Sequence, residues 1–286
     1  MTTEAVPKNL DLFSIPPTLL SVSEYRYEKI NSKTAMGRNV KQIDFTANPD
    51  KVNYTDLSES YFLIKCGYEK ADQSAVEAAP LIGPIQNPLT SIMKSVDVWI
   101  NNVKVTPNEG DLPFINFLHN FMQSKQAKES YLTTSLWVDD SYDSITSCNQ
   151  SNPQAAADAN PNKGLKERTG YFTSSRDVLL IGKVYIPPHN VTKLFLPHLK
   201  FDWRIELTDI AFHSMSAQPA GSYHFWVKEA AIMLRRVTVS PSLSLAHSTI
   251  LQSRNALYPC RYMLSRTYNI PTGSSDFKFP NAFEGK

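Results

Sequence analysis

The chain has 286 residues with 29 basic and 27 acidic side chains, and a formal charge of +2 excludes a histone-like or polybasic protein. Hydrophobic residues make up 42% and aromatics 11%, enough for a sizeable core, while no run of about 18 apolar residues offers a membrane span. Ten glycines against 19 prolines argue against the Gly-rich phosphate loops of dinucleotide and P-loop folds.

From the N-terminus, residues 1–9 read as a flexible lead, and Met1-Thr2-Thr3-Glu4 shows neither a secretory signal nor a transit peptide, so an intracellular, non-secreted protein is expected. Residues 40–46 predict a short strand with Ile43 and Phe45 inward. Phe62, Ile64, Cys66 and Tyr68 share one face of a second strand. Val96, Val98 and Ile100 share a face of a third, which Asn101-Asn102 turns into Val103-Lys104-Val105 as a tight hairpin. Phe114, Phe117, Leu118, Phe121 and Met122 follow helical spacing behind Asp111 and Pro113, which predicts a helix whose stripe lies on something apolar.

Residues 139–168 are small and polar and are expected as an exposed loop, with Asp139-Asp140 a solvated turn and Lys163, Lys166 and Arg168 surface charges. Residues 178–186 form a β-branched run. Leu199, Phe201, Trp203, Ile205 and Leu207 alternate with polar residues, the period of a strand with one wet face in an antiparallel sheet. In residues 223–239 the apolar phase switches between Val227 and Ala230, as a bulge near Glu229 would cause; a bent strand serving two sheets is expected. Ser240-Pro241 opens a second helix carrying Leu243, Ala246, His247, Ile250 and Leu251 on one face, and residues 258–268 alternate aromatic with polar side chains, as a last strand would.

No composition shift divides residues 10–280, and all-β sandwiches reach roughly 200–250 residues as one unit, so a single domain is expected. Cys66, Cys148 and Cys260 are odd in number and far apart, the pattern of free thiols. The six histidines, at 119, 189, 198, 213, 224 and 247, lack metal-ligand spacing, and His119 and His247 sit beside helical stripes as boundary histidines would. Arg235-Arg236 reads as ordinary surface charge. The triplets at Asn53, Asn149 and Asn190 match the glycosylation pattern by chance if the chain is not exported. The residues alone therefore give an all-β antiparallel sandwich with helical insertions, and no catalytic, cofactor-binding or metal-binding residue.

A series of short segments carries more. Leu10-Asp11-Leu12-Phe13-Ser14-Ile15-Pro16-Pro17-Thr18 resembles the leading segment of the double jelly-roll major capsid proteins of Polinton (Maverick) elements and related adintovirus-like viruses, and further pieces follow in the same order. They are Pro84 to Asn87, Ser95 to Val98, Asn162 to Arg168, Leu180 to Gly182, Ser244 to His247 and Tyr258 to Arg261; where the family commonly has Asn-x-Leu-His, this chain has Asn87-Pro88-Leu89-Thr90. The resemblance implies a jelly-roll barrel over residues 10–280, with residues 10–20 an N-terminal arm and 139–168 a contact loop. It implies a structural capsid subunit with no enzymatic activity, metal or cofactor. Its partners would be other copies of itself, as a trimer in the family, and companion capsid proteins; specific nucleic acid and membrane would not be partners. The location would be the virion when assembled. Family members carry two barrels, so residues 281–286 would begin a second. An alternative reading is a host-adapted ligand- or protein-binding β-sandwich, with Tyr223 and Trp226 near His224 as a binding face; a third is a jelly-roll metalloenzyme, for which metal-ligand spacing is missing.

Overall fold

The computed structural model describes residues 21–38, 40–107, 111–140, 152–154 and 162–261, with single positions up to 278. The expected lead 1–9, arm 10–20 and second-barrel start 281–286 lie outside the described residues, as do Cys148 and Asn149. The strands are β1 (Val22–Asn31), β2 (Gly37–Arg38), β3 (Gln42–Ala47), β4 (Tyr54–Lys70), β5 (Ile82–Pro84), β6 (Met93–Ile100), β7 (Val103–Lys104), β8 (Val178–Gly182), β9 (Phe201–Leu207), β10 (Ser214–Ser216) and β11 (Tyr223–Val239). The helices are α1 (Pro88–Ser91), α2 (Leu112–Phe121), α3 (Lys125–Glu129), α4 (Lys163–Gly170), α5 (Ile210–His213) and α6 (Pro241–Leu251).

One sheet runs β1-β11-β4-β8 with β2 beside β11, and the other runs β3-β9-β6-β7; β5 and β10 form a small separate ribbon. Every pairing is antiparallel. With the two-residue β2 left out, numbering the other eight strands of the two main sheets in chain order gives 1-8-3-6 in one and 2-7-4-5 in the other. Apart from the β6–β7 hairpin, each connection between these strands crosses from one sheet to the other, which is the interleaved double Greek key of a jelly roll.

The core lies between the sheets. Alternation puts Phe201, Trp203 and Ile205 of β9 and Ile43 and Phe45 of β3 on the inner face, all 0–1% exposed, against Phe62, Ile64, Cys66 and Tyr68 of β4 and Ile232 and Leu234 of β11. The β6–β7 hairpin turns on Asn101 and Asn102 at φ 49° and 67°, left-handed values that asparagine tolerates. In β11 the pairing with β4 shifts between Val227 and Glu229, and the extra residue lets Val227 and Ala230 both face inward.

Several expectations are corrected. β11 bends but pairs only within one sheet, because the bulge restores inward parity instead of passing the strand across. The run 178–186 is a strand only to Gly182, although Val184 and Ile186 stay buried after the chain leaves the sheet. The described residues of 258–268 form no strand: Tyr258 instead stacks on Phe195 at 4.5 Å and accepts the Leu196 amide through its hydroxyl at 3.2 Å. Tyr223 and Trp226 are 6% and 8% exposed: Tyr223 joins the core, and Trp226 is covered on the outer face of the sheet by Lys228, so neither is free as a binding face.

Within the expected loop 139–168, residues 141–151 and 155–161 lie outside the described residues, but the C-terminal end is the helix α4. Asn162 caps it by accepting the Leu165 amide at 3.1 Å. Its Gly164, Leu165, Arg168 and Thr169 are buried, and Thr169 lies where any side chain at Gly83 would go, so β5 needs glycine there. Arg168, expected at the surface, is 1% exposed and bonded through each of its three guanidinium nitrogens: Nε donates to Pro84 O (3.0 Å), Nη1 to Val138 O (2.5 Å) and Nη2 to Asp140 Oδ1 (2.6 Å). Asp139-Asp140 is correspondingly an anchor and not a solvated turn, since Asp139 accepts from Trp137 Nε1 and Gln86 Nε2. Arg236 is also buried, donating to Glu28, Thr55 Oγ1 and the Asn48 carbonyl, so the Arg235-Arg236 pair is only partly surface charge.

Candidate assembly surface

The helix α2 is built the opposite way from its sequence period. Phe114, Leu118, Phe121 and Met122 are 45%, 52%, 55% and 80% exposed, while the buried positions include Asn116 and Asn120. Asn116 explains this inversion. Its Oδ1 accepts the Tyr185 amide at 2.7 Å and its Nδ2 donates to the Tyr185 carbonyl at 3.2 Å, so one side chain pairs with a backbone residue as a neighbouring strand would. One helical turn on, Asn120 Nδ2 donates to Asn87 Oδ1 at 3.2 Å. Buried amides must be satisfied, and the rim where the chain leaves β8 offers the partners. The polar face therefore turns inward, and the apolar stripe faces solvent instead of resting on an apolar layer.

Other aromatic groups extend the stripe. Phe114 meets Phe212 of α5 edge-on at 5.8 Å, Phe117 stacks on Phe121 at 5.9 Å and also meets Trp137, and Lys128 of α3 lies over the Phe121 ring at 4.7 Å. An exposed apolar stripe of this kind is suited to a protein contact.

The remaining chemistry is structural. His189 is buried, accepts Trp203 Nε1–H through Nε2 at 3.1 Å and packs on Phe62; His213 is buried beside Ser214 and Phe225. Burial holds the His189 imidazole down to about 3 and His213 to about 4. Both groups are neutral in the folded chain and take up protons in the unfolded one, so the stability they support is complete above about pH 6.5 and is lost as pH falls toward 4 and then 3. The urea midpoint is expected to drop steadily between about pH 6.5 and 4.5, less steeply in His213→Gln; a flat profile would count against this account. Cys66, buried in the core, is pushed up to about 12, which makes it an inert thiol.

His119 of α2 stacks on Tyr185 at 4.3 Å, and His247 Nδ1 of α6 meets Tyr54 Oη at 2.8 Å. Among the described residues no group of three or more His, Cys, Asp or Glu side chains is placed to hold a metal, and no helix is long and apolar enough to cross a membrane. Sequence spacing could have flagged Asn116 and Asn120, which lie four residues apart on the face opposite the stripe. The partners that draw them inward come from distant segments and carry no local signal.

No protein-family model matches the chain, and no curated protein matches it by sequence. Solved structures do. A chain of the Sputnik virophage is similar at 14% identity and a TM-score of 0.52, with 84% of this chain aligned to 53% of that one. VP54 of the virus PBCV-1 aligns at 9% identity and a TM-score of 0.48, covering 82% of this chain and 46% of that one; the mavirus major capsid protein aligns at 13% and 0.42, covering 84% and 53%. The Sputnik likeness agrees with the strand order: the chain is an antiparallel jelly-roll sandwich. This chain spans about half the length of the chains it matches.

Proposed function

We propose that this chain is a structural capsid subunit, a jelly-roll module that makes shell contacts with other copies of itself. The observation that carries the reading is the jelly-roll strand order, 1-8-3-6 and 2-7-4-5, together with the likeness in fold to a chain of the Sputnik virophage over 84% of this sequence. The ordered motif series from Leu10 to Arg261 supports the same reading, as does the outward apolar face of α2, which is suited to a subunit contact. A trimeric unit, companion capsid proteins, contacts through residues 139–168 and location in the virion belong to this proposal.

Sedimentation velocity and negative-stain electron microscopy of the purified chain test it. Closed oligomers or shell-like sheets that grow with concentration are expected. A monomer that persists at the highest soluble concentration would overturn the self-assembling subunit.

A further inference from the structure

A cavity of about 1150 Å³ opens beside β4 and the end of β8, bounded by the last turn of α2 and by the chain that runs on from Lys183 to Lys193. Its size is at the upper end of small-molecule sites. Leu57, Leu132, Ile181, Val184 and Val191 give it apolar walls. His189 and Asn190 line the same space, and each carries a buried nitrogen without a partner. Trp203 donates to His189 Nε2, so the neutral ring holds its proton on Nδ1, which lies toward the Leu57 carbonyl without a well-formed hydrogen bond. Asn190 Nδ2 is the other. Both groups are donors, and buried donors left unmade are costly, so what this corner lacks is an oxygen.

We infer that this cavity binds an anionic amphiphile of the fatty-acid type, its carboxylate accepting from His189 and Asn190 and its alkyl chain lying on the leucine, isoleucine and valine walls. Charge supports the anion. Lys183, Lys193 and Arg261 line the cavity, and no aspartate or glutamate does. Lys183 is shared with Glu59 at 2.8 Å, whereas Lys193 donates to the neutral Leu257 carbonyl at 3.0 Å and so keeps its full charge toward a ligand. A carboxylate that leaves water needs such surroundings, because charge-assisted hydrogen bonds and nearby cations offset its desolvation. A neutral or cationic amphiphile would fill the apolar part and leave the two donors unpaired. The cavity is reached from the Asn120 side of α2, opposite the exposed stripe, so binding there does not depend on assembly.

The test titrates the full chain at neutral pH with decanoate, below its micelle concentration, and follows the heat of binding. Decanol and decyltrimethylammonium, which carry the same chain on a neutral and a cationic head, are the controls. One equivalent of decanoate is expected to bind, about tenfold more tightly than decanol and with no measurable competition from the cation. Asn190→Leu and Lys193→Met should each weaken decanoate by about tenfold while leaving decanol unchanged. The urea midpoint of Asn190→Leu should not fall, since the substitution removes an unpaired donor, and if either variant fails to fold the other decides. Equal affinity for decanoate and decanol would overturn the anion site, and undiminished decanoate binding in a folded variant would place it elsewhere on the chain. No heat at millimolar decanoate would overturn the inference outright.

Discussion

Replacing Arg168 by alanine is expected to remove about 3–5 kcal/mol of unfolding free energy. The guanidinium is 1% exposed and ties α4 to two other pieces of chain: the end of β5 at Pro84, and the segment that carries the Val138 carbonyl and the Asp140 carboxylate. Truncation takes from the Pro84 and Val138 carbonyls the donors that Nε and Nη1 supply, while Asp140, at 31% side-chain exposure, can partly return to water. The cost therefore comes more from the orphaned carbonyls than from the lost charge pair. Arg168→Lys should recover only part of it, because an ammonium cannot present three donors along the same fork. Urea unfolding monitored by tryptophan fluorescence measures the effect, and a loss below about 1 kcal/mol would refute the clamp.

The other large effect concerns association. Leu118→Glu with Phe121→Glu places two carboxylates on the exposed stripe of α2. Both positions face solvent in the isolated subunit, so stability should change by no more than about 0.5 kcal/mol per site. At an apolar contact the same carboxylates would be desolvated without partners, weakening association by about 1000-fold or more. The pair of measurements separates the two roles: an unchanged urea midpoint with loss of oligomers in sedimentation identifies a contact surface. Unimpaired assembly would move the interface off α2, and a fall in stability would mean that the stripe packs on the barrel after all.

How much of this was legible follows from burial. β9 could be read residue by residue because its inner side chains are buried and its outer ones wet, so alternation is written directly into the sequence. β1 was not read, although it is ten residues long: it is an edge strand with only Ile30 buried, and without a buried face there is no apolar period to detect. The first half of β4 was missed for a different reason. Its pairing with β11 jumps between Asp56 and Tyr61, and the inserted residues break the alternation that is clear from Phe62 onward. α2 was placed correctly and faced wrongly, since amphipathic period locates a helix but does not say which side the rest of the chain can satisfy. Arg168 looked like one more surface cation because the carbonyls that trap it lie 30 and 84 residues away in sequence.

The two 17-residue strands β4 and β11 lie side by side at the middle of their sheet, paired from Tyr223 with Lys70 to Val237 with Tyr54. Their hydrogen bonds stand across the strand direction, so tension applied along these strands loads the ladder in shear instead of unzipping it one rung at a time. The module is thus stiffest along that direction, and mechanical failure should begin at its margins, where β7 and β2 contribute two residues each.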